Sequence, residues 1–461
     1  TNPDIFNSVL TVNNTGSSLI YLAHNSAGNQ FNGDVTLNST SGSGIRFSDA
    51  AGGSSTMAAG NTISIGGSGF TSGDLYLEDF TQLGNVGMVL NLAPSSSSFR
   101  IGPGSTFGGD VSFVAPRLFL EGATFNQMAY LEKTGANSDT GAGNSTFVGN
   151  ATIVNNGTGV LRTQGGNTFN GTTLITNNAN SDILLELSSG STYNGDVTFT
   201  NTSSSNVRVA YAGVTTFNGN IVVNSTNGAG IYFCENTGTA TLADTRTISI
   251  GGSGFSSGSL RLDQFTQVGG TGQMLTLTGT ATLRIGNNSQ FNGAVSFIAP
   301  QLELNGCTYN GTPTYLEKNG AASNNSNGGN IFNGGNTTIV NSGSGYLLMA
   351  NTNPDIFNTA LTLTNSGSNW LYLAHNSTGN EFNGNITLNS TGSANGILFS
   401  NAGGGSSTLG ASAAFSVGGS GFNVGELRIQ RMTQAVAGTP QNLTLTGSAL
   451  LQLGPTTTFT A

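Results

Sequence analysis

The stretch "YNGDVTFTNTSSSNVRVAYAGV", residues 193–214, decides the fold. Val197 and Phe199 alternate with Thr198 and Thr200; after a run of Ser and Asn, Val207, Val209 and Tyr211 alternate with Arg208 and Ala210. Period two in β-branched and aromatic residues predicts strands, and the Asn-Gly and Ser-rich pieces between them predict turns. No helical periodicity of useful length appears, and Gly at this density would weaken any helix by about 1 kcal/mol per position.

The stretch is one of many. An aromatic followed by Asn-Gly recurs at Phe31, Phe169, Tyr193, Phe217, Phe291, Tyr309, Phe332 and Phe382. Looser versions carry Phe at 6, 70, 107, 125, 147, 255, 357, 422 and 459. Most gaps between these aromatics are 18–25 residues. Those through Phe70, Phe255 and Phe422 are 36–40, as if one marker had been lost from each. The gap order itself repeats, which nests the short unit in blocks of about 165–187 residues. A longer period of 351–352 is explicit: "TNPDIFN" at 1–7 returns at 352–358.

A unit of about 22 residues cannot bury its apolar side chains alone. Stacked units share a buried face with two neighbours. Hairpins do not return the chain to the same place every 22 residues; a coil does, and strands one coil apart are then parallel. The expectation is an all-β, parallel β-helix, right-handed as parallel crossovers are, of about 22 coils, with residues 1–461 as one continuous solenoid. The alternative, a β-sandwich array with Phe-Asn-Gly as a hairpin turn, would not give so short a marker from domains of about 100 residues.

The marker then has a physical meaning. Phe31, Phe169, Tyr193, Phe217, Phe291, Tyr309, Phe332, Phe357 and Phe382 are expected inside, stacked along the axis. Asn32, Asn170, Asn194, Asn218, Asn292, Asn310, Asn333 and Asn383 are expected to form an amide ladder, each hydrogen-bonded to the next. The Gly that follows is expected to supply a positive φ at a corner. "GGSGF" at 66–70, 251–255 and 418–422 reads as a tight corner.

Composition narrows the function. Of 461 residues 70 are Gly, only 7 % are charged, and 12 Lys+Arg against 21 Asp+Glu leave a net charge of −9. That excludes a basic nucleic-acid footprint, and no apolar run reaches the 18 residues of a membrane span. Cys234 stands where sister repeats have Ser48 and Ser400, and Cys307 where one has Ala123, so no disulfide between them is expected.

No catalytic, cofactor or metal site is expected. Glu78 and Asp79 become Asp263 and Gln264, then Gln430 and Arg431, in the sister blocks. Glu132-Lys133 recurs as Glu317-Lys318 and reads as a surface charge pair or loop. His24 and His375 are one repeat position copied, a solvated or corner residue without an acid or metal partner. Asn-x-Ser/Thr triplets follow from composition. An ice-binding face would need the same outward Thr on coil after coil; beside the threonines of "LTLTG" (275–279) neighbouring coils place other residues, so none is expected.

The nested text "YLAHNSAGNQFNG", "TISIGGSGF", "LTLTG" resembles, over the whole chain, the tandem arrays in very large surface proteins of Bacteroidota. The resemblance carries no catalytic motif. It implies a giant secreted protein exported by the type IX system, acting as a surface filament or adhesin, including the mobile adhesins of gliding. The function expected is the structural shaft of an extracellular, cell-surface filament or adhesin. A carbohydrate-binding or polysaccharide-degrading β-helix is the alternative. Expected partners are further repeats of the same chain at both ends, lateral copies of the rod, and surface polysaccharide or substratum.

Overall fold

A computed structural model describes residues 2–48, 52–93, 97–139, 141, 143–434 and 439–459. Among them there is no helix, and the strand pairings are parallel, stacked as a β-solenoid of about 18 turns. The chain divides into two compact units: residues 1–222 with 227–240, and 223–226 with 241–461.

Each coil contributes up to three strands. The first is short, often only two residues, such as Thr168–Phe169. The second is usually five residues long, as in Thr173–Asn177, with side chains alternating in and out. The third runs two to five residues, as in Val207–Val209. In the first unit the short strands pair in register from Phe6 through Phe31 and Met57 to Gln82, Phe107, Phe125, Phe147, Phe169, Tyr193 and Phe217. In the second, Gln267 leads through Phe291, Tyr309, Phe332, Phe357 and Phe382 to Leu409 and Gln434.

These registers correct the expected 22 coils. The interval from Phe31 to Phe107 holds three coils, not four, because its rungs are Met57 and Gln82. Phe70 is not a rung of this column. It ends an eight-residue strand, Ile63–Phe70, on the second face. There Leu37 pairs with Ile65 but Ser39 pairs with Phe70, so residues 66–69 bulge out of the ladder. "GGSGF" is therefore a bulge within a strand, not a corner. The same shift separates Leu388 and Ser390 opposite Phe415–Phe422. The Asn38 side chain fills the bulge, accepting from the Ser68 amide at 3.1 Å.

The glycine of the marker also acts otherwise than expected. Gly195, Gly219 and Gly334 are not among the positive-φ residues. Their role is close approach: a Cβ on Gly195 would lie 2.3 Å from the Gly171 carbonyl oxygen of the coil before it, and one on Gly334 1.7 Å from that of Gly311. Positive φ falls instead at the corner after the third strand, on residues such as Ser48, Glu186 and Ala210.

On the outside of the short face, Thr56, Thr81, Thr106, Thr124, Thr146, Thr168, Thr192 and Thr216 stand in register on successive coils. This regular threonine column lies on the short strands, a different face from the threonines of "LTLTG".

Candidate functional site

Alternation turns each marker aromatic inward and its Asn outward. Phe31, Phe169, Tyr193, Phe217, Phe291, Tyr309, Phe332, Phe357 and Phe382 are all buried. In the first unit Phe107, Phe125, Phe147, Phe169, Tyr193 and Phe217 form one stack, with centroids 4.7–5.3 Å apart and planes within 11°. Phe31 stacks on Phe6 at 5.2 Å; on its other side the next rung is Met57. In the second unit Phe291, Tyr309, Phe332, Phe357 and Phe382 stack in order.

The exposed asparagines join in three separate runs. Asn32 donates to Asn7 at 2.8 Å; Asn218 donates to Asn194 and Asn194 to Asn170, each at 2.8 Å. Asn383, Asn358, Asn333 and Asn310 each donate to the rung before, ending on Asn292. Asn7 and Asn358 follow the looser Phe markers, which is why they were missed.

A second amide system lies inside and was not foreseen. Asn155, Asn177 and Asn201 end successive second strands and are fully buried. Asn177 Nδ2 donates to the Ser181 carbonyl at 2.8 Å and to Ser203 Oγ at 2.9 Å. Asn201 Nδ2 donates to the carbonyls of Ser205 and Gly230 at 2.7 and 3.0 Å. These amides satisfy turn carbonyls at the inner side of the corners. The signal was in the sequence, as the Asn closing "TIVN", "LITN" and "VTFTN".

Lys133 shares that column, paired with Ala115 on one side and Asn155 on the other. It is 0 % exposed, so the expected surface charge pair is not found. Its ammonium donates to the Gly135 carbonyl at 2.5 Å and approaches that of Pro116 at 3.4 Å. Pro116 belongs to an 18-residue coil that passes from second to third strand with no turn between, and the lysine fills the corner above it. Lys318 repeats this, donating to Gly320 and Gly345 carbonyls at 2.6 and 3.2 Å. Burial lowers both lysine pKa values, that of Lys318 to about 8.

The buried acids also sit at corners. Asp139 accepts from the Leu118 amide at 3.1 Å, and Asn324 accepts from Leu302 at the same distance in the second unit. Glu186 accepts from Tyr193 Oη at 3.0 Å and the Ala210 amide at 2.7 Å. Asp355 accepts from the Asn330 amide and side chain, both at 2.9 Å. Burial pushes each of the three carboxyls up to about 7.

The remaining candidates are spread over the surface and corners. Asp79 is an exposed corner residue at positive φ, as are its counterparts Gln264 and Arg431 in conformation. Asp263, the counterpart of Glu78, is buried and paired with Arg261. His24 packs on Tyr21 at 4.7 Å; His375 packs on Tyr372 at 5.1 Å, with its pKa lowered by burial. Cys234 and Cys307 are both buried, and no disulfide joins them.

Two outer surfaces carry more than solvated threonine and serine. On the third face Tyr21, Arg46, Tyr76, Arg100 and Phe119 stand in register. Arg100 lies 4.4 Å over the Phe119 ring and pairs with Glu121 at 3.0 Å, so its charge is compensated within this face. On the second face Tyr130 Oη donates to Glu132 at 2.5 Å, and Tyr315 Oη to Glu317 at 2.6 Å. No family model matches the chain, and no curated protein or solved structure matches it.

Proposed function

We propose that the chain is a stretch of the structural shaft of an extracellular, cell-surface filament or adhesin. The observation that carries this reading is the direct stacking of ring on ring and strand on strand between successive coils, as from Phe107 to Phe217. Within each unit parallel ladders couple a coil to its neighbours, so tension applied to one is shared with the next. The buried polar groups support the same role: Asn177, Lys133 and Asp139 are each spent on backbone groups at corners. The likeness of the repeat text to surface arrays of Bacteroidota supports a place outside the cell and export by the type IX route.

Two measurements test it. Under single-molecule force the purified chain should unfold in steps of one or a few coils, at forces above those of ordinary globular domains. Antibodies against the chain should label intact cells of the source organism along filaments. Label confined to lysed cells would sink the reading.

A further inference from the structure

Tyr130 lines a trough of about 490 Å³ on the outer second face of the first unit, together with Val89, Asp110, Ser112 and Met128 among others, and its hydroxyl donates to Glu132 beside the trough. Val89, Ser112 and Tyr130 are successive outward residues of one register column. Val89 is 66 % exposed. Small Ser112 leaves a notch with an aliphatic wall on one side and a phenol ring on the other. Glu132 lies two residues beyond Tyr130 and is fixed by two donors, Tyr130 Oη and Asn156 Nδ2, the latter at 2.6 Å.

The second unit places the counterpart residues in the same register. Met274, Ser296 and Tyr315 occupy one column, and Met274 is 72 % exposed. Glu317 accepts from Tyr315 Oη and from Ser342 Oγ at 2.5 Å. Of the residues lining the trough, Val89, Asp110 and Met128 have become Met274, Ala294 and Pro313 in the second unit. Ser, Tyr and Glu have not. Each carboxylate accepts from neutral donors and has no ion-pair partner among the described residues; it stands at the hydroxyl edge of its tyrosine.

We propose that these two notches are copies of one binding site for an amine-bearing sugar unit of a polysaccharide. The apolar face of the sugar ring packs on the Tyr ring against Val89 or Met274. Its ammonium group sits by the ring and the carboxylate, where both the π-face and the negative charge attract it. Uncharged donors hold the carboxylate in place, so its position is set before the ligand arrives. An acidic glycan is repelled, and a neutral one forgoes the ionic contact. The site is an addition to the shaft reading and stands or falls separately from it.

The test is calorimetric titration of the purified chain with chitosan hexasaccharide and with the fully N-acetylated hexasaccharide. The free-amine ligand should bind at least about tenfold tighter, and Tyr130→Ala/Tyr315→Ala and Glu132→Gln/Glu317→Gln should each weaken it by about tenfold or more. Asp34→Asn/Asp196→Asn, which changes net charge equally while keeping the backbone-accepting oxygens, should leave binding within about twofold. Circular dichroism of every variant should match the parent. Failure of the free-amine hexasaccharide to bind, equal binding of the acetylated one, or equal weakening by the charge-matched control would each overturn the proposal.

Discussion

The rings of Phe332 and Phe357 lie 4.5 Å apart, centroid to centroid, with their planes 2° from parallel. Neighbouring strands are about 4.7–4.9 Å apart, so face-to-face stacking at this spacing follows from the strand pairing itself. Replacing Phe332 by Ala removes a fully buried ring and leaves contacts on both sides unmade. The expected cost is about 3–5 kcal/mol. Chemical denaturation should read this, and hydrogen exchange should rise first in the coils holding Tyr309 and Phe357.

The marker glycines should be intolerant for a steric reason. Gly195→Ala places a methyl 2.3 Å from a backbone oxygen of the preceding coil and is expected to destabilise by about 2 kcal/mol or more. Gly67, at the tip of the bulge, has nothing within 4 Å of its would-be Cβ, so Gly67→Ala should stay within about 0.5 kcal/mol. Similar urea midpoints for the two variants would refute the account of inter-coil contact.

The two amide systems should differ in weight. Asn194→Ala removes exposed side-chain bonds that water can replace, with an expected loss of about 0.5–1 kcal/mol. Asn177→Ala leaves the Ser181 carbonyl and Ser203 hydroxyl short of a buried donor, and about 2–3 kcal/mol is expected. Equal thermal shifts would mean that the inner column does no more than the outer.

The buried titratable groups predict a shallow stability minimum near pH 7–8. The Glu186, Asp139 and Asp355 carboxyls are raised to about 7, so between their usual range and pH 7 the folded chain binds more protons than the unfolded one. Stability therefore falls as pH rises through that window. Lys318 is lowered to about 8, so from there to its usual 10.5 the unfolded chain binds more protons and stability climbs again. Glu186→Gln should remove part of the acid-side slope and raise the melting temperature at pH 8. Asp139→Asn should do the same, because Asn324 already performs that role in the other unit. A melting temperature rising steadily from pH 5 to 7.5 would contradict this.

Much of this architecture could be read from spacing. Alternation and the aromatic marker are local signals, and they gave the parallel solenoid, the inward rings and the outward amides. The errors in coil count and in the Lys133 pair share one cause: a linear gap does not say which residue stands on which rung. Phe70 looked like a marker because it is an aromatic in a Gly-rich context, whereas Met57 and Gln82 hold the rungs without being aromatic. Lys133 looked like half of a surface pair because nothing local reveals that Pro116, 17 residues earlier, has closed its coil without a turn. The Tyr–Glu notches depend on three coils lying side by side, and only the register brings Val89, Ser112 and Tyr130 together.

The exposed asparagines also share an orientation. Every amide from Asn310 to Asn383 donates to the coil before it, and those of Asn310, Asn333 and Asn358 turn their carbonyls to the coil after. Amide dipoles so aligned add, as they do along a helix axis. That flank of the second unit thus has an electrical direction, positive toward the earlier coil and negative toward the later, where the Glu381 carboxylate accepts from Asn383 at 3.2 Å. Salt would screen it only weakly at contact range. A polar molecule lying along the row would therefore meet a surface that distinguishes its two ends.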